Sequence, residues 1–215
     1  MMKIAVLFPG IGYHCDKPLL YYAGKLAAQH GFGEIVRISY AYNGGNIRGN
    51  AAAMRAAFDV LYDQAARALS DVKWEQYEEI LFISKSIGTC VAAAYAERNG
   101  LAVRHILYTP LRETFQLGTF RKEKRAAHPE EGSKAAPHQQ TNQHVPGDES
   151  ANAISFIGTA DPWSDAEEIR RLCMDSGIPL TVIPGANHSL ETGNALRDIE
   201  ILREVMGETL TLIAR

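Results

Sequence analysis

Three polar side chains in this sequence stand where nucleophilic chemistry would need them: Ser86, Asp161 and His188. Ser86 lies in Ile80-Leu-Phe-Ile-Ser-Lys-Ser-Ile-Gly-Thr89, an apolar run that passes through Ser84-x-Ser86-x-Gly88 directly into the alanine-rich segment Cys90–Glu97. A nucleophile on so sharp a strand-to-helix turn needs small residues two positions away on either side, because larger ones drive backbones into each other. Such a turn lifts the hydroxyl above the sheet and leaves the free N–H groups of the helix N-terminus beside it. An ordinary strand–helix turn with an incidental serine is the plainer explanation of this segment alone. Asp161 ends the run Ile157-Gly-Thr-Ala-Asp-Pro-Trp163, and His188 falls in the loop Ile183-Pro-Gly-Ala-Asn-His-Ser189. Taken singly these also have plain explanations, since loop aspartates mostly form turns or caps and lone histidines are mostly structural. Together they carry more weight. All three follow apolar strands, at the strand ends where ligands bind in open α/β sheets, and their order, Ser–Asp–His, is that of one triad architecture.

The elements that would position them are short apolar runs alternating with longer stretches of helical period. Strands are expected over Lys3–Phe8, Glu34–Tyr40, Ile80–Ser84, Val103–Tyr108, Ala153–Ile157 and Leu180–Ile183, mostly as continuous apolar runs that suit strands covered on both faces. Helices are expected over Pro18–His30, Asn50–Leu69, Ile87–Asn99, Asp165–Ser176 and from Ala195 to near the C-terminus. Pro18 suits a first helical turn, and Asn99-Gly100 and Ser176-Gly177 supply stops. Strand–helix alternation implies right-handed crossovers and a mainly parallel sheet. The expected fold class is therefore α/β, a three-layer sandwich on about six strands in a single domain over residues 1–215. One segment breaks the pattern. From Arg121 to Ser150 there is no aromatic, Leu, Ile or Met and a single valine, Val145, against five basic and five acidic residues. It cannot bury enough apolar area to offset ordering its backbone, so a mobile surface insertion is expected there.

The chain has 215 residues, of which 46% are hydrophobic, 22% charged and 8% aromatic, the profile of a globular domain rather than a disordered or fibrous one. Twenty-two Lys+Arg against 25 Asp+Glu leave a net charge of −3. Binding to nucleic acid or an anionic membrane surface rests on surplus positive charge, so neither partner is expected. Three scattered cysteines, Cys15, Cys90 and Cys173, without a CxxC pair, point to a reducing compartment and to no zinc site. The short apolar run after Lys3 breaks at Pro9-Gly10, too early for a signal peptide, and is expected to be a buried strand of a cytoplasmic protein.

On Ser-Lys-Ser86-Ile-Gly, Gly-Thr-Ala-Asp161-Pro and Asn-His188-Ser, the sequence resembles the α/β-hydrolase family, in particular its small dienelactone-hydrolase-like members, over nearly the whole chain outside the insertion. The resemblance implies a minimal α/β-hydrolase fold without the extra N-terminal strands or apolar cap of larger members. It also implies Ser86 as nucleophile, His188 as general base and acid, and Asp161 as the group orienting the imidazole. By the same resemblance, Phe8-Pro-Gly-Ile11-Gly-Tyr13 after the first strand is the oxyanion turn, with the Ile11 N–H as one donor and the Ile87 N–H as the other. Gly10-x-Gly12 also begins a dinucleotide fingerprint, but Cys15 stands where the third glycine belongs, and Ala41-Tyr42-Asn43 offers no acid after the second strand.

The lesser features have mild explanations. Lys85 is a candidate for the mouth of a pocket, with a solvated lysine the plainer expectation. Tyr13 and Trp163 flank the site and are candidates for pocket walls. Cys90 falls inside the elbow helix, where packing is its expected role. His128, His138 and His144 are not spaced as a helical i, i+4 metal pair, so no metal is expected, and no cofactor. The expected activity is a serine hydrolase that cleaves an ester-type bond of a small-molecule ester or thioester through an acyl-enzyme on Ser86. The same triad would serve a thioesterase, lactonase or peptidase, and a non-catalytic binding module would share the architecture; oligomeric state is left open.

Overall fold

A computed structural model describes residues 2–118, 120, 143–145 (backbone) and 152–215. The element order is β1 (Lys3–Phe8), α1 (Pro18–Gln29), β2 (Glu34–Arg37), α2 (Ala51–Ala68), β3 (Glu79–Lys85), α3 (Ile87–Arg98), β4 (Arg104–Tyr108), α4 (Thr114–Leu117), β5 (Gln143–Val145), β6 (Ala153–Gly158), α5 (Ala166–Ser176), β7 (Leu180–Ile183) and α6 (Ala195–Ile213). The strands form one sheet in the order β2-β1-β3-β4-β6-β7-β5. The first six run parallel, and β5 closes the far edge antiparallel to β7.

Helices cover both faces. Ala5, Leu7, Leu81, Ile83 and Phe156 meet Leu20, Ala23, Ile201 and Val205 of α1 and α6. Ile4, Val6 and Phe82 meet Phe58 and Leu61 of α2 and Val91 and Tyr95 of α3 on the other side. Leu107 and Ile157 pack with Ile169 and Cys173 of α5. Strands of an all-parallel core are apolar on both faces for this reason. Each fully buried Leu, Ile or Phe contributes roughly 1.5–3 kcal/mol of transfer free energy, offset by the conformational entropy lost in ordering it.

Local chemistry sets the helix ends. Asn50, Asp165 and Asn194 cap α2, α5 and α6 by accepting the N–H of Ala53, Glu168 and Arg197, each bond satisfying an orphan donor of the first turn. Gly177 ends α5 in the left-handed conformation, φ 70°, which glycine adopts without steric cost. The second strand is shorter than expected: it ends at Arg37 rather than Tyr40, because the chain leaves β1 after the Ile38 N–H bonds Leu7. Besides β5, two short helical elements had no sequence expectation, α4 and a 3-10 turn at Trp74–Gln76. Within the expected 121–150 insertion, Gln143–Val145 pair with β7; the rest of that expectation lies outside the described residues. Among the described residues no helix is long and apolar enough to cross a membrane.

Candidate active site

Ser86 sits at the turn between β3 and α3 with φ 58° and ψ −133°, a strained conformation for a residue with a side chain. The surroundings impose it. The Ser86 N–H bonds the Tyr108 carbonyl, and its own carbonyl accepts the N–H and, at 2.6 Å, the hydroxyl of Thr89. Thr114 of α4 in turn lies 2.6 Å from the Thr89 hydroxyl. Small neighbours are obligatory. A Cβ on Gly88 would lie 2.3 Å from the Pro9 carbonyl oxygen and 2.4 Å from that of Phe8, while one on Gly10 would lie 3.0 Å from the Ser86 Cβ. Ser84 is fully buried and donates to the Ile106 carbonyl. The sequence spacing Ser84-x-Ser86-x-Gly88 thus reflects the close passage of β1 and its following turn beside the elbow.

His188 joins the other two residues. Its Nε2 is 2.7 Å from Ser86 Oγ, and its Nδ1 is 2.7 Å and 2.9 Å from the two carboxylate oxygens of Asp161. An ionised carboxylate only accepts, so Nδ1 carries the proton in the neutral imidazole and Nε2 is left to accept from the serine hydroxyl. The Asp161 side chain is 0% exposed, and Oδ1 also accepts the Trp163 N–H at 2.8 Å. The Trp163 ring stacks on the imidazole, centroids 5.5 Å apart and planes 30° from parallel. Burial lowers the His188 pKa from its ordinary value; the Asp161 hydrogen bond opposes that shift, and the Lys85 charge adds to it.

The loops bearing the acid and the histidine are stitched together. The Ala160 N–H bonds the Ala186 carbonyl at 3.0 Å, and Thr159 Oγ1 accepts the Gly185 N–H at 2.8 Å. A Cβ on Gly158 would fall 2.0 Å from the Ala186 carbonyl oxygen. Asn187 fixes the histidine from beside it, its Oδ1 accepting the N–H groups of Ser189 and Glu191. The contributions of Asn187, Thr89 and Thr114 went unrecognised in the sequence. Asn187 has a local signal, a turn-forming side chain directly before the histidine, whereas the Thr89–Thr114 pair joins residues 25 apart and has none.

Ile11, Gly12, Tyr13, Ile47, Lys85, Ser86, Ile87, Leu111, Trp163 and His188 belong to one cleft of about 260 Å³. A larger cleft of about 370 Å³, reaching Arg37, Tyr40 and Tyr42, adjoins it at Ile11 and Gly12. Gly10 and Tyr13 bond each other's carbonyls through their N–H groups at 3.2 Å, which leaves Ile11 and Gly12 as the donors of that turn. Tyr13 is buried, and burial pushes its phenol up to about 12. Lys85 departs from the solvated lysine expected of it. It is 1% exposed, because alternation along β3 puts it on the face of Leu81 and Ile83 that packs under α1 and α6. Cys90, 2% exposed, contacts Thr114 in the core.

No family model matches the sequence, and no curated protein does. Solved structures do. An alpha-beta serine hydrolase homologue from Coxiella burnetii superposes with a TM-score of 0.54 at 14% identity, over 96% of this chain and 84% of that one. Est1E from Butyrivibrio proteoclasticus, solved with ferulic acid bound, gives 0.54 at 14% identity over 97% and 89%. The esterase Pf2001 of Pyrococcus furiosus gives 0.50 at 12% identity over 97% and 82%. At this identity the likeness establishes architecture: the chain has the α/β-hydrolase fold.

Proposed function

We propose that this α/β-hydrolase-fold protein is a serine hydrolase that cleaves an ester-type bond of a small substrate through an acyl-enzyme on Ser86. The observation that carries the reading is the unbroken chain from Ser86 Oγ through His188 to a buried Asp161, with 2.7 Å at each link. Ser86 Oγ attacks the acyl carbon while its proton passes to His188 Nε2 and the carbonyl π electrons move onto oxygen. The N–H groups of Ile11 and Ile87 receive the oxyanion, each worth roughly 3 kcal/mol of barrier. Collapse restores the carbonyl and expels the leaving alkoxide, which takes the proton from Nε2. Water then repeats the sequence, its proton going to His188, and the carboxylic acid departs as Ser86 recovers its hydrogen.

Asp161 stabilises the imidazolium formed in each half-reaction, and its burial keeps that interaction strong. The Trp163 face holds the imidazole in plane. The cleft sizes suit a small-molecule substrate, and Ile47, Leu111 and Trp163 supply apolar wall. Labelling with a fluorophosphonate, which requires an activated serine, tests the reading. The parent protein is expected to gain the phosphonyl mass on the peptide containing Ser86. Ser86→Ala should abolish labelling and lower ester hydrolysis by roughly 10⁴-fold or more. Equal labelling of that variant, on Ser189 for instance, would refute the assignment.

A further inference from the structure

Lys85 immediately precedes the proposed nucleophile, yet the steps above make no use of it. Among the described residues its ammonium makes one directed contact, over the ring of Tyr13 at 4.9 Å from the centroid. Tyr13 is fixed at both ends. Its backbone closes the Gly10–Tyr13 turn by the two 3.2 Å bonds already described, and its phenol oxygen accepts the Leu19 N–H of α1 at 3.1 Å. The ring is therefore the back of the turn that carries Ile11, and Lys85 ties it to the strand that carries Ser86. An ammonium over an aromatic face is attracted by the ring quadrupole, an attraction that vanishes when the amine is neutral.

Resting on the esterase reading, we propose that Lys85 is a positioning residue: in its protonated form it holds the oxyanion turn in register with Ser86 through the Tyr13 ring, and oxyanion stabilisation weakens when that proton is lost. The titratable groups around it come from every side. Tyr13 belongs to the β1–α1 turn, Tyr108 to the neighbouring strand β4, Asp161 to the β6–α5 loop, and His188 and Glu191 to the β7–α6 loop. Burial pushes the Lys85 ammonium down to about 7, and the charges of Asp161 and Glu191 oppose the shift. A solvated lysine stays charged well beyond that range. This one changes state near neutrality.

Two measurements test the link. Ester hydrolysis across pH should show kcat declining on the alkaline side of neutrality in the parent. In Lys85→Met the decline should be absent, kcat at the parent's optimum should be lower by between about twofold and about thirtyfold, and KM should stay within about twofold. In protein labelled with 13C at lysine Cε, the resonance missing from Lys85→Met should titrate near neutrality in the parent. Its midpoint should move to lower pH in Tyr13→Leu, which lacks the ring, and hold in Tyr13→Phe, which keeps it. A Lys85→Met enzyme that retains the parent's alkaline decline would overturn the proposal, as would a midpoint unmoved in Tyr13→Leu. Absence of fluorophosphonate labelling in the parent would instead remove the esterase reading, and the lysine titration would still decide whether Lys85 and Tyr13 are coupled.

Discussion

Replacing Gly88 by alanine adds one methyl group at the closest backbone approach around the elbow. On propensity alone the change is favourable, since alanine is better than glycine inside a helix by about 1 kcal/mol. Gly88 is the second residue of α3, and its φ is not among the positive ones, so the backbone itself accepts alanine. The opposition is steric. The new Cβ would stand 2.3 Å and 2.4 Å from the carbonyl oxygens of Pro9 and Phe8, and a backbone oxygen has no side-chain rotation with which to yield. Relief requires α3 and the end of β1 to separate by close to an ångström, an overpacking cost of roughly 2–3 kcal/mol, the upper part of the usual range because the opposing atoms are backbone. The Thr89 bonds to Ser86 and the Gly10–Tyr13 turn lie on the two sides of that gap, so both move. Net destabilisation of about 1–2 kcal/mol corresponds to a fall in Tm of roughly 2–8 °C for a domain of this size. Thermal unfolding followed by circular dichroism measures it, and the rate of fluorophosphonate labelling at a temperature where the variant is fully folded reads the site separately. Labelling should slow more than the small stability change explains. A variant with unchanged or raised Tm and the parent's labelling rate would refute the argument that this contact holds the elbow against β1.

Because burial lowers the His188 pKa, the base is neutral at lower pH than a free imidazole, and kcat/KM should rise with pH through an apparent value below ~6.5, the solvated histidine value; an inflection above it would contradict the buried geometry. Asp161→Asn should reduce kcat by roughly 10⁴-fold by favouring the wrong tautomer, and steady-state kinetics showing a change of only a few-fold would assign the orienting role elsewhere. His105 lies buried at the start of β4 between Phe82 and Phe120, with Nδ1 unpaired among the described residues and its pKa pushed down to about 4 by burial. The unfolded chain therefore takes up a proton near ~6.5 that the folded chain refuses until about pH 4. Stability should fall over that window by on the order of 3 kcal/mol as pH decreases. Urea titrations should show this acid loss in the parent and a smaller one in His105→Leu; equal slopes would mean that His105 is not the group responsible.

The parallel core was legible because its strands are apolar on both faces. Ile4–Phe8, Leu81–Ile83 and Leu180–Ile183 leave little doubt about what must be buried. The candidate site was legible because an elbow constrains its neighbours: the near-contact of Gly88 with β1 appears in the sequence as a small residue at one spacing. Features that depend on a distant partner were not. Gln143–Val145 has no apolar period of its own and becomes a strand only where β7 offers an edge. The burial of Lys85 was not legible, because the usual fate of a lysine outweighs the alternation of β3, which puts it beneath α1 and α6 with Leu81 and Ile83. Even with the period recognised, the Tyr13 ring that receives its charge comes from another loop.

The separation of 102 positions from Ser86 to His188 has a kinetic consequence. Bringing these side chains together requires β3, β4, β6 and β7 to be laid down side by side in parallel, and every such pairing closes a long loop before any contact compensates. Local helices form within microseconds, whereas sheets of this topology assemble slowly. Collapsed forms that already hold α1, α2 and α3 but lack the β6–β7 pairing would carry Ser86 without its histidine. In a refolding experiment, serine reactivity should therefore appear in the last phase, after most of the helical signal has returned.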